Sequence, residues 1–123
     1  MPIPATAVSD DDFLYRRINL KGQLNPDRTV NSNAYKKGGK PDPEISVDLA
    51  PLSTIQESLL RAPDPRSFTI GIIQTRTVRA FGLTVTHQPT EENPAHAVIL
   101  GNNSKSTCRD LAAATRLADL EKV

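Results

Sequence analysis

The stretch Ile45-Ser46-Val47-Asp48-Leu49 alternates apolar and polar residues without a break, so a strand there buries Ile45, Val47 and Leu49 and turns Ser46 and Asp48 to its other face. Leu83 to His87 alternates in the same way. Phe68 to Ile73 and His96 to Leu100 are more continuously apolar, as strands covered on both faces are. Phe13 to Ile18 has the aromatic and branched content of a further strand, with Leu14, Arg16 and Ile18 on one face and Phe13, Tyr15 and Arg17 on the other. Helical signals fall between these runs. Ser53 with Gln56, or Thr54 with Glu57, forms a capping box for a helix that reaches about Arg61, and Pro63 and Pro65 forbid its continuation. Thr75 to Phe81 reads as a short helix closed by Gly82. Ser104 caps a last helix whose apolar stripe is Cys108, Leu111, Ala112 and Thr115, with Lys105, Arg109, Arg116 and Lys122 largely outside it.

Between the first two strands the chain is polar from Asn19 to Pro43. Asn25-Pro26-Asp27 is a turn signal, Thr29 to Tyr35 a short edge strand, and Lys36 to Pro41 a flexible basic loop. Strands and helices interleave irregularly, which predicts an α+β fold: a single small sheet covered by two or three helices. Residues 1–12, ending in Asp10-Asp11-Asp12, read as a flexible, solvated lead-in, and residues 13–123 as one domain.

Composition narrows the function classes. The 123 residues carry 15 Lys and Arg against 14 Asp and Glu, a net charge of +1, which argues against a chain built to grip a nucleic-acid backbone. There is one cysteine, Cys108, so no internal disulfide can form, and a reducing cytoplasm is the expected compartment. The start, Met1 to Val8, has no basic segment and two early prolines, unlike a secretory signal. No apolar run approaches the roughly 20 residues of a membrane-spanning helix.

The candidate chemistry collects where Glu91-Glu92-Asn93-Pro94-Ala95-His96 runs into the strand Ala97 to Leu100. This turn sets two acids, an amide and a histidine at one strand mouth. Histidine titrates near neutrality in general, which makes His96 a candidate general base, and Asp48, carried on a strand, is the expected acidic partner. Arg16, on a face with Leu14 and Ile18, either turns inward, where it calls for a carboxylate or a ligand phosphate, or snorkels to solvent from an edge strand. His87 and His96 would come close if their strands pair, but four tightly spaced ligands are missing, and no metal is expected. Cys108 reads as a small core residue. Gly38-Gly39 and Gly101 to Ser106 do not match a phosphate-loop spacing, although the latter places Lys105-Ser106 at a helix start.

Leu14-Tyr15-Arg16-Arg17, Ser46-Val47-Asp48, Gly82-Leu83-x-Val85 and Asn93-Pro94-Ala95-His96-Ala97, in this order, resemble a group of small uncharacterised bacterial proteins. That resemblance implies a bacterial, cytoplasmic protein acting beside a larger effector system. Tyr15-Arg16, the loop Asn31 to Tyr35 and the helix from Ser53 are similar in arrangement to RES-type ADP-ribosyltransferase-like toxins. In that fold Arg16 would hold the NAD pyrophosphate and Tyr35 would stack near the nicotinamide.

Two readings follow. The first is a protein-binding or adaptor domain with a protein partner, no resident cofactor, and neither nucleic acid nor membrane as its target. The alternative is an enzyme, or the remnant of one, that handles a nucleotide or NAD. Its catalytic candidates are His96 and Asp48, with Arg16, Tyr35, Asn93 and His96 in contact with the ligand. An enzyme needs Arg16, Asp48 and His96 in one cleft.

Overall fold

A computed structural model describes residues 5–118. Six strands form one antiparallel sheet: β1 (Phe13–Asn19), β4 (Glu44–Leu49), β5 (Phe68–Gln74), β6 (Thr84–His87), β7 (His96–Leu100) and β8 (Arg116–Leu117), in the spatial order β6-β7-β4-β1-β5-β8. With the helices α1 (Ile55–Leu60), α2 (Thr75–Ala80) and α3 (Lys105–Ala114) this is a small α+β fold. Among the described residues no helix is long and apolar enough to cross a membrane.

The alternation seen in the sequence sorts the side chains onto two faces. One face carries Leu14, Ile18, Ile45, Val47, Leu49, Ile73, Val85 and Ile99, roofed by Cys108 and Leu111 of α3, Val78 of α2, and Tyr35. The other face has a smaller cluster, in which Ile70, Ile72 and Ala118 pack with Tyr15 and with Ile55 and Leu59 of α1. Gly71 lies on the first face, and its missing side chain is required: a Cβ there would sit 2.6 Å from the Thr115 methyl and 3.0 Å from Ile18 Cγ1.

The long polar segment is more ordered than its composition suggests. In place of an edge strand over Thr29 to Tyr35, a 3-10 turn at Ser32–Tyr35 is capped by the Asn31 side chain, which accepts from Asn33 N. Tyr35 is thereby driven into the core, where burying a large ring outweighs strand propensity. Lys36 to Pro41 forms a two-stranded hairpin, β2 (Lys36–Lys37) and β3 (Lys40–Pro41). Gly38 and Gly39 both take positive φ in its turn, +61° and +80°, as a tight hairpin demands.

At its start α1 is capped by Thr54 and Glu57, the second of the two boxes the sequence offers, while Ser53 is drawn inward. The last helix ends at Ala114, and the chain then adds β8 beside β5, a strand that the helical pattern conceals. Arg116 therefore belongs to a strand, and Lys122 lies outside the described residues. Where a solvated lead-in was expected, Val8 is buried, Asp10 and Asp11 pair with Arg79 and Arg76, and the Asp12 carbonyl accepts from Thr75 N.

Candidate functional site

Among the described residues Asp48 is a fully buried charged side chain held by three side-chain hydrogen bonds. It lies on the α1 side of the sheet, opposite Tyr15 on β1 and His96 on β7, and its side chain is fully buried. Its Oδ2 accepts from Arg17 Nη1 at 3.2 Å and from Arg61 Nη1 at 3.1 Å, and its Oδ1 accepts from Asn93 Nδ2 at 2.8 Å. Arg61 also donates to Ser53 Oγ at 2.9 Å, Ser53 and Ser58 share a hydroxyl bond of 2.9 Å, and Arg17 donates to the Ser58 carbonyl at 3.3 Å. Both oxygens of the carboxylate accept hydrogen bonds, as burial of a charge requires.

Asn93 acts through the same network. Its amide oxygen accepts from Ala95 N at 3.1 Å while its amide nitrogen reaches Asp48, so the Asn-Pro-Ala-His turn is pinned to β4. His96 follows on β7, half-buried. In the bond between its Nδ1 and the Gln88 carbonyl, 2.9 Å, the ring nitrogen donates, because a carbonyl can only accept. A shallow cleft of about 560 Å³ lies beside it, bordered by Lys37, Asp42, Glu44 and Ser46. Neither Arg16 nor Asp48 lines that cleft.

Arg16 projects from the face opposite to Asp48 and His96. Its Nε donates to the Ala34 carbonyl at 3.0 Å and its Nη1 to the Ser46 carbonyl at 2.8 Å, and burial holds its guanidinium below the ordinary arginine pKa. Tyr35 is wholly buried. Its hydroxyl bonds Thr115 Oγ1, which in turn donates to the Leu111 carbonyl at 2.7 Å, and burial raises the phenol pKa above 10.0. The structure thus brings together Asp48, Asn93 and His96 and leaves Arg16 and Tyr35 in the opposite layer.

The two histidines are also separated. His87 pairs with Ala97, so its ring lies on the opposite face from His96. Its Nδ1 accepts from Thr6 N at 3.0 Å and its Nε2 donates to the Pro94 carbonyl at 2.7 Å, which occupies both nitrogens. Among the described residues no group of three His, Cys, Asp or Glu side chains is placed to hold a metal. Cys108 is buried against the Tyr35 carbonyl, 3.3 Å away, and desolvation raises its thiol pKa, the reverse of an activated nucleophile.

Sequence reasoning missed Arg17, Arg61, Ser53 and Ser58. One signal was present: an aspartate inside a strand of buried residues needs a cationic partner, although the arginines that supply it lie 31 and 13 residues away in the chain. No family model, curated protein or solved structure matches this chain.

Proposed function

We propose that this chain is a small protein-binding domain that takes an extended segment of a partner along the edge of β6. The observation that carries the proposal is the state of that edge. Gln88 N donates to the His96 carbonyl at 2.9 Å, closing the β6–β7 ladder. Counting back in twos turns the backbone groups of Thr86 and Thr84 toward β7, and those of Val85 and His87 outward. Among the described residues nothing bonds those outward groups.

Edge strands are normally guarded by charges, prolines or bulges. β6, Thr-Val-Thr-His, has none of these, whereas the opposite edge, β8, is two residues long and carries Arg116. A partner strand would gain main-chain hydrogen bonds at β6, the basis of recognition by strand addition. The engagement of Asp48, Arg16, Asn93 and Tyr35 in internal bonds fits a binding domain better than a catalytic one.

Selection of peptides from a random display library, followed by amide exchange on the complex, tests this. Val85 and His87 amides should slow sharply in the complex, while Thr84 and Thr86, already bonded to β7, change little. Selected binders that leave Val85 and His87 amides unprotected would sink the proposal.

A further inference from the structure

A second surface, remote in kind from the β6 edge, carries chemistry of its own. The turn from Arg28 to Ser32 and the C-terminal half of α3 enclose a cleft of about 520 Å³, within the range of small-ligand sites. Val30, Ala112 and Leu117 contribute apolar lining, and no acidic residue lines the cleft among the described residues. We propose that this cleft binds a small phosphomonoester, its phosphate held by Arg28 and Arg109 with the Ser32 hydroxyl, and its organic part resting on Val30 and Ala112.

The polar groups around the cleft fall into two sets. One set builds the walls. The Asn31 amide is fixed by Asn33 N and the Gly22 carbonyl, Thr29 Oγ1 donates to Asp27 at 2.6 Å, and Thr115 is bound to Leu111 and Tyr35. The other set, the side chains of Arg28, Arg109 and Ser32, makes no hydrogen bond or ion pair among the described residues. Arg116 stands at the rim with its guanidinium over the Phe13 ring, 5.8 Å from the centroid, and is already engaged.

Arg28 supplies an independent observation. Its φ is +65°, and it is the one non-glycine residue with a positive φ among those described. That conformation is unfavourable for an ordinary side chain, and glycine or asparagine is the usual occupant. The turn holds it there: Arg28 N donates to the Asn25 carbonyl at 2.9 Å and Asn25 N to the Thr29 carbonyl at 2.8 Å. Residues held in such regions concentrate at ligand sites. Two guanidinium forks and a hydroxyl also offer more donors than one carboxylate accepts. A phosphomonoester, with three terminal oxygens and up to two charges, matches them better.

Phenyl phosphate at low ionic strength is the probe, followed by amide and side-chain NMR on the whole chain, with benzyl alcohol as the uncharged control. Shifts should be confined to Arg28–Ser32 and to Arg109–Leu117, and benzyl alcohol should give none. Arg109→Gln should weaken binding about tenfold or more, as loss of a charged hydrogen-bond donor does. Arg28→Gly should weaken it comparably while leaving the melting temperature unchanged or raised, because glycine relieves the backbone at that position. No shift at millimolar probe, or affinity unchanged in both variants, would overturn the assignment. A tyrosine-phosphorylated peptide bound in the cleft at least tenfold more tightly than phenyl phosphate would overturn the small-molecule part of it. Because the β6 edge is read from different amides, failure here leaves the strand-addition test intact.

Discussion

Asp48→Asn preserves the shape of a buried side chain while removing its charge and one of its two acceptors. In the native structure both oxygens accept: Oδ2 from Arg17 and Arg61, Oδ1 from Asn93. An asparagine must present its amino group to one of these sides, creating a donor-to-donor contact. Asn93 cannot relieve it by turning over, because its own oxygen is held by Ala95 N. The charge loss also leaves two guanidinium groups converging on one point without an anion. Removing one member of a fully buried ion pair costs about 3–5 kcal/mol, and an exposed pair is worth about 0–1. Here the aspartate is fully buried and the arginine side chains are 25% and 24% exposed, so water partly compensates and a loss of about 2–3 kcal/mol is expected. For a domain of this size that lowers the melting temperature by roughly 10 °C. Urea unfolding followed by circular dichroism measures it directly, with an unchanged slope confirming that the folded and unfolded states stay comparable. Arg61→Gln should cost only about 1 kcal/mol, since Arg17 still neutralises the carboxylate. An Asp48→Asn variant within about 1 kcal/mol of the parent would refute the view that this network locks α1 to the sheet.

Two further outcomes follow from the core. Tyr35→Phe removes the hydroxyl bonded to Thr115 and should cost about 1 kcal/mol at neutral pH. Because burial raises the Tyr35 pKa, the neutral phenol's contribution is complete below the unfolded value near 10 and is lost as pH rises through the higher folded value. Melting temperatures measured through that alkaline range should therefore fall less steeply in Tyr35→Phe than in the parent, and parallel curves would contradict the assignment. Gly71→Ala places a Cβ 2.6 Å from the Thr115 methyl and should destabilise by about 2 kcal/mol. Thr115→Ser, which removes that methyl and keeps the hydroxyl, should restore part of the loss in the double variant, as a denaturant cycle would record.

Where a residue's face decides its fate, the sequence was readable. The alternation in Ile45–Leu49, the apolar run His96–Leu100 and the Ser104 cap place β4, β7 and α3 where they are found. What escaped depends on contacts distant in the chain. Tyr35 is carried by a polar loop, yet it packs in the main core cluster with Cys108 and Leu111 of α3 and bonds Thr115. β8 follows a helix with no turn signal, and its pairing with β5 joins residues about 45 apart in the chain. The candidate site was legible only in part. Asp48, Asn93 and His96 do lie together, because paired strands bring Asp48 opposite His96. Arg16 could not join them: strand alternation already put it on the other face, as its company with Leu14 and Ile18 indicates.

The position of Arg16 explains why the sheet can carry so long a polar insertion. β1 pairs with β5 along all seven of its residues but with β4 at only two positions, Leu14 with Leu49 and Tyr15 with Asp48. Beyond Tyr15 the two central strands diverge, and a carbonyl facing the gap would be left without a donor at a cost of about 1–3 kcal/mol. The Arg16 guanidinium fills the gap, taking the Ser46 carbonyl from β4 and the Ala34 carbonyl from the insertion with two of its nitrogens. One side chain thus replaces a missing rung of the ladder and ties the 3-10 turn to the sheet, which seats Tyr35 under α3. A lysine has the charge but not the planar fork that spans two fixed acceptors. The residue whose chemistry most invites a ligand is therefore the one whose removal would open the sheet at its centre.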